Sequence, residues 1–170
     1  MPSYVALLRA VNVGGTGKLP MSELKAMCAA EGFGGVQTYI ASGNVVFSAD
    51  PSEAQIKAAL EERLKSYAGK PVGVIVRTAK EMADVLAANP FPDAPPNWTY
   101  AIFLDAPPPA DTLDGIKHQK DEEVRLGKRE IYVAYGEGMG RSKLKIPAGV
   151  NGTARNINTI AKLAELAASI

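Results

Sequence analysis

Short β-prone runs interleaved with stretches of helical periodicity predict an α+β fold of two similar halves, the second less complete than the first. Three observations carry this. The order strand, helix, strand, strand, helix, strand is legible over residues 3 to 78, and the order strand, helix, strand, strand returns after a proline-dense connector at 89–97. With 46% apolar residues, 170 residues are also enough for one ordinary domain or for two small halves sharing a core. The expected division is 1–78 and 79–170 within one compact unit.

In the first half, Tyr4 to Val11 is apolar and β-prone. Pro20 then opens a segment in which Met21, Leu24 and Cys28 recur at helical spacing until Gly32 stops it. Val36 to Ile40 and Val45 to Phe47 are short strands around Ser42-Gly43-Asn44, where Gly and Asn accept the positive φ of a tight turn. Asp50 as N-cap, Pro51 in the first turn and Glu53 as capping acid precede a helix with Ile56, Leu60 and Leu64 at four-residue spacing. Val72 to Arg77 closes this half as a strand, giving the ferredoxin-like order β-α-β-β-α-β.

The second half begins with a helix capped by Thr78 and Glu81 that buries Met82, Val85 and Leu86. Asn89 to Asn97, NPFPDAPPN, breaks regular structure. Tyr100 to Leu104 reads as a strand, Pro109 to Lys117 as a short helix, and Glu123 to Leu126 with Ile131 to Tyr135 as a hairpin turning at Gly127-Lys128. A last helix, with Thr153 as N-cap, places Ile157, Ile160, Leu163, Ala164 and Ala167 on one face, and no strand follows it. The predicted fold is therefore two ferredoxin-like halves, the second incomplete. Leu60, Leu64, Ile75, Phe103, Ile160 and Leu163 are the expected core.

Nineteen basic against eighteen acidic residues leave a net charge of +1, so the whole-chain electrostatic footprint of a dedicated nucleic-acid binder is missing. No apolar run approaches the roughly 18 residues that span a bilayer, and no basic-then-apolar leader opens the chain. A cytoplasmic, membrane-free protein is expected. Cys28 alone excludes an internal disulfide and a thiolate metal cluster, and His118 alone excludes a multi-histidine metal site, so neither metal nor cofactor is expected.

Several motifs fail on inspection. Gly14-Gly15-Thr16-Gly17-Lys18 imitates a phosphate loop, but Asn12 stands where that motif needs glycine and Leu19 where it needs a magnesium-binding hydroxyl. Ser42 lacks the leading glycine of a nucleophile elbow. KREIYVAY from Lys128 to Tyr135 matches an RNA-binding strand at Lys128, Tyr132, Val133 and Tyr135, yet places Arg129, Glu130 and Ile131 where glycine, an aromatic and a small residue belong.

What survives is a set of cations beside flexible, donor-rich backbone. The strand LLRAVNVGG ends in Gly14 and Gly15, carries Arg9 and Asn12, and leads to Lys18. Ser42, Gly43 and Asn44 form a second turn, and GEGMGRSKL from Gly136 to Leu144 adds Ser142 and Lys143. Arg155, with Asn156 beside it, falls in the expected first turn of the last helix. The helix dipole disfavours a cation there by about 0.3–1 kcal/mol, so an acidic side chain or a bound anion is expected beside it.

LLRAVNVGG with Lys18 and Pro20-Met21-Ser22-Glu23-Leu24, then TYIASGNVVF, GRSKL and TARNINT, together resemble the mostly bacterial family known as domain of unknown function 1697. The resemblance implies an α+β protein of two ferredoxin-like halves with no established activity and no assigned catalytic residues. This chain carries Ile157 where the family's last motif commonly has tryptophan.

The leading expectation is a protein that binds a phosphate- or carboxylate-bearing small molecule through Arg9, Asn12, Gly14, Gly15, Lys18, Ser42, Gly43, Asn44, Ser142, Lys143, Arg155 and Asn156. The alternatives are an RNA- or DNA-binding ferredoxin-like module, an enzyme in which a lysine activates Ser42 or Ser142, and an interaction scaffold without a small ligand. Catalysis, ligand identity and oligomeric state stay open at this level.

Overall fold

A computed structural model describes residues 1–12, 18–136 and 142–170. The chain divides into two compact units, Met1–Ala83 with Lys162–Ile170, and Asp84–Ala161.

The first unit contains β1 (Ser3–Leu8), α1 (Met21–Ala30), β2 (Gly34–Thr38), β3 (Asn44–Ser48), α2 (Glu53–Ala68) and β4 (Val74–Thr78). The strands form an antiparallel sheet in the order β2-β3-β1-β4. Tyr4, Ala6, Leu8, Val45, Phe47, Val74 and Val76 on one face pack with Leu24, Met27 and Cys28 of α1 and Ile56, Leu60 and Leu64 of α2. Val5, Leu7, Val46 and Ile75, one residue out of phase, are buried as well. A central strand buried on both faces explains why β1 reads as a continuous apolar run rather than an alternation.

Two helix starts differ in their chemistry. Helix α1 follows Pro20, which supplies no side-chain cap. Helix α2 is capped by Ser52, whose Oγ accepts the Gln55 amide at 3.3 Å while the Gln55 side chain accepts the Ser52 amide at 2.9 Å. The cap expected at Asp50 with Glu53 is thus displaced by two residues. Both triplets have capping-box spacing, and the Tyr4 hydroxyl donates to the Pro51 carbonyl at 3.3 Å, outside the helix. Gly32 (φ 82°) and Gly69 (φ 73°) follow the two helices in the left-handed conformation that glycine adopts without strain.

Helix α3 (Ala79–Ala87) begins with the expected reciprocal cap, the Glu81 amide on Thr78 Oγ1 at 3.1 Å and the Thr78 amide on Glu81 Oε1 at 2.9 Å. The second unit then builds β5 (Thr99–Phe103), β6 (Glu123–Leu126), β7 (Glu130–Ala134) and β8 (Thr153–Asn156), ahead of α4 (Ile157–Ala168). Its antiparallel sheet has the order β6-β7-β5-β8. A fourth strand, not expected from the sequence, is present at Thr153–Asn156, where a helix start was expected, while the connections between these strands carry 3₁₀ turns in place of helices like α1 and α2. The helix expected over Pro109 to Lys117 shrinks to a 3₁₀ turn at Thr112–Gly115.

One face of this sheet clusters Val124, Ile131, Val133 and Tyr135 with the half-buried Tyr100 and Ile102. It is covered by Ile116, Leu144, Ile146 and Ala148 from connecting segments, which Lys117 and Lys145 join through two backbone hydrogen bonds of 2.9 Å. All six expected core residues are buried, with Leu60, Phe103, Ile160 and Leu163 fully so.

Candidate functional site

Pairing of β1 with β4 sets Leu8 opposite Val74, and one residue further the Arg9 amide donates to the Gly73 carbonyl at 2.9 Å. The end of β1 is thereby held against the turn that follows α2. A pocket of about 150 Å³ opens there, with Leu19 and Leu64 among its apolar walls and Arg9, Lys18 and Lys70 as its charged groups. Tyr67, 46% exposed, also lines it. No carboxylate belongs to the described lining. Arg9 and Lys18 were legible in the sequence; Lys70 and Tyr67 were not, because they lie some fifty residues away and arrive only through the β1–β4 pairing.

Asn12 and Asn44, both expected as ligand groups, spend their side chains on the chain itself. Asn12, at φ 55°, accepts the Leu19 amide at 2.8 Å and donates to the carbonyls of Leu19 at 2.9 Å and Ala41 at 2.8 Å. It thereby ties Leu19 and the β2–β3 turn at Ala41 to one another. Asn44 is fully buried and donates to Tyr39 O and Ser42 Oγ, each at 2.9 Å. Gly43, at φ 92°, lies so close that a Cβ would sit 2.6 Å from Val11 Cγ2 and 2.8 Å from Leu8 Cβ. Val11 lines the pocket, so the close approach of Gly43 backs one of its walls. Gly14 and Gly15 lie outside the described residues.

The remaining expected site residues belong to the second unit and are held within it. The Ser142 hydroxyl donates to Glu122 Oε2 at 2.6 Å, and the Lys120 amide donates to Glu122 Oε1 at 2.6 Å. The Ser142 bond, more than the Lys120 one, holds the Glu122 carboxyl below its usual range. Ser142 is a tie between two loops, and Lys143 is exposed.

The placement of Arg155 in the first turn of the last helix is corrected: it is the third residue of β8, opposite Ala101 of β5, and the residue that caps α4 is Asn156, which accepts the Thr159 amide at 2.9 Å. In a strand, residues 153 and 155 face the same side, and both are buried. The Arg155 guanidinium donates to Thr153 Oγ1 at 2.7 Å and to the Ala154 carbonyl at 2.9 Å. Burial brings its pKa down to about 10.

The other chemistries weighed on sequence find these surroundings. Tyr132 and Tyr135 are buried, the former donating its hydroxyl to the Val85 carbonyl at 2.9 Å, the latter set edge-on to Tyr100. Cys28 is buried on the apolar face of α1, and burial pushes its thiol up to about 12, which keeps it protonated. His118 is exposed at φ 60°. Among the described residues no group of three or more His, Cys, Asp or Glu is arranged to hold a metal ion, and no helix is long and apolar enough to cross a membrane.

A solved structure of the conserved bacterial protein SP0830 from Streptococcus pneumoniae is similar to this chain, at 25% identity with a TM-score of 0.80, covering 97% of this chain and 98% of its own. No curated protein matches the chain in sequence. The model of the family described as protein of unknown function DUF1697 matches residues 1–132, which include all of the pocket's lining and leave GRSKL and TARNINT beyond its span. The chain belongs to the DUF1697 family.

Proposed function

We propose that the first unit binds a phosphate- or carboxylate-bearing small molecule in the pocket formed by Arg9, Lys18 and Lys70. One observation carries this reading: three cationic side chains line a single pocket of about 150 Å³ whose described lining holds no acid. The last turn of α2 also borders it, and a helix C-terminus supplies only about half a negative charge. Three cations exceed that by a wide margin. A multivalent anion offsets their mutual repulsion and accepts charge-assisted hydrogen bonds. The two Asn12 hydrogen bonds to Leu19 support the reading by fixing one lining residue in advance, which lowers the ordering cost of binding.

The strand orders β2-β3-β1-β4 and β6-β7-β5-β8 support treating both sheets as ferredoxin-like, and the single free cysteine supports a reducing, cytoplasmic setting. Thermal melts in phosphate and in chloride at equal ionic strength test the pocket. At an anion concentration of one hundred times Kd, stabilisation of about 2.7 kcal/mol is expected. It should disappear in the double variant Lys18→Ala, Lys70→Ala. Equal melting of the wild type in both salts refutes the reading.

A further inference from the structure

Helix α2 presents Ala59, Glu62, Arg63 and Ser66, spaced i, i+3, i+4 and i+7, to a groove of about 550 Å³ also lined by Met27 of α1 and by Glu31, the residue that follows that helix. Tyr67 stands on the boundary, lining both this groove and the cation-lined pocket. The two cavities therefore share one half-exposed tyrosine. Their sizes divide the work: about 150 Å³ admits a group the size of a phosphate, whereas 550 Å³ lies within the range of roughly 300–1,000 Å³ typical of small-molecule sites. The charges divide likewise. Arg63 pairs with Glu31, and Glu62 is the groove's carboxylate outside that pair.

We propose that pocket and groove form one elongated site for a nucleoside monophosphate whose base carries an exocyclic amine. The inference rests on the anion-binding reading of the pocket. The phosphate lies among Arg9, Lys18 and Lys70, the base stacks on the Tyr67 ring, and the amine donates to the Glu62 carboxylate. A ring face accepts any planar heterocycle; the carboxylate, an acceptor only, selects a base edge that donates and opposes one that presents a carbonyl. Arg63, held by Glu31, borders the base without reaching for the phosphate.

Calorimetric titration of the full chain with adenosine monophosphate, inosine monophosphate and ribose 5-phosphate tests this. Wild-type protein should bind adenosine monophosphate about tenfold or more tighter than ribose 5-phosphate, the gain expected from one stacked base. Tyr67→Ala should remove that gain, bringing adenosine monophosphate affinity down to that of ribose 5-phosphate in the same variant, while Glu62→Gln should narrow the preference for adenosine over inosine monophosphate. Both side chains are on the surface, and circular dichroism verifies that the variants fold. Equal wild-type affinity for adenosine monophosphate and ribose 5-phosphate overturns the elongated site and leaves the anion pocket standing. Absence of binding by all three compounds overturns the anion pocket, and this inference with it.

Discussion

In the first unit, alternate residues of β1, β3 and β4 are buried under two helices, whose Leu24, Ile56, Leu60 and Leu64 are fully or almost fully enclosed. In the second, a sheet of the same strand order has one face covered by connecting segments, with Ile116, Leu144 and Ile146 only half-buried over Tyr100 and Ile102. The difference in cover produces a difference in cavity. A helix that ends above a strand terminus leaves a pocket edged by its last side chains and the following turn, here Tyr67 and Lys70. Connections laid flat over an apolar face leave a cleft of about 340 Å³ lined mainly by Ile102, Tyr135, Leu144 and Ile146, with Lys145 as its charged residue. One strand order thus supports a cationic pocket in one unit and an apolar cleft in the other. Strand order positions the cavity, and what spans the sheet decides its chemistry.

The widest separation between the two kinds of cover should appear in core truncations. Leu60→Ala, in a fully buried helix position, is expected to cost about 2–5 kcal/mol in chemical denaturation. Ile146→Ala should cost about 1 kcal/mol, since less apolar area is removed. Equal losses would show that the connecting segments cover their sheet as tightly as helices do.

Backbone geometry gives the next largest effect. Gly43→Ala combines a positive φ with a Cβ driven against Val11 and Leu8, and should cost roughly 2–4 kcal/mol. Gly69→Ala, at φ 73° with nothing within 4 Å of its Cβ, isolates the conformational part at about 1–2 kcal/mol. A loss at position 69 as large as that at 43 would remove the close approach from the account of the pocket wall.

Arg155→Ala should lower stability by about 1–3 kcal/mol through lost packing and hydrogen bonds to Thr153 and Ala154. Phosphate-dependent stabilisation should survive it, because Arg155 belongs to β8 and not to the cationic pocket. Loss of the phosphate effect in this variant would contradict that assignment.

A smaller, pH-dependent effect is expected at Ser142. The Glu122 carboxyl has a lowered pKa in the folded protein, so its contribution is present above the usual carboxylate value and is lost as pH falls through the lowered one. Ser142→Ala should raise that pKa and cost about 1 kcal/mol at neutral pH. A carboxyl titration by NMR reads the shift directly, and an unmoved Glu122 would remove Ser142 as the tie. Smallest of all, Lys70→Ala should leave apo stability within about 0.5 kcal/mol, as for an exposed side chain, while weakening phosphate binding.

Much of the first unit was legible because its signals are local. Met21, Leu24 and Cys28 mark one helix face, Ile56, Leu60 and Leu64 another, and Gly32 sits where the first helix stops. The α2 cap was misplaced because Asp50 with Glu53 and Ser52 with Gln55 carry the same spacing. Strand β8 was missed for a different reason. Thr153-Ala154-Arg155-Asn156 has no apolar alternation, and its extended form is defined by hydrogen bonding to β5, some fifty residues earlier.

The candidate site divides along the same line. Its cations Arg9 and Lys18 were visible in the sequence, since charge announces itself, and so was the Ser-Gly-Asn turn that approaches Val11, since glycine announces positive φ. That the side chains of Asn12 and Asn44 bond the chain itself was visible only once their carbonyl partners, as distant as Ala41, were in place. Lys70, Tyr67 and Glu62 carry no motif. Only antiparallel pairing of β1 with β4, and α2 packed over them, brings Lys70 and Tyr67 beside Arg9. Local sequence thus determined the elements and the charges available, through periodicity, capping and turn chemistry. Tertiary structure decided which charges share a cavity, because that depends on contacts between residues far apart in the chain.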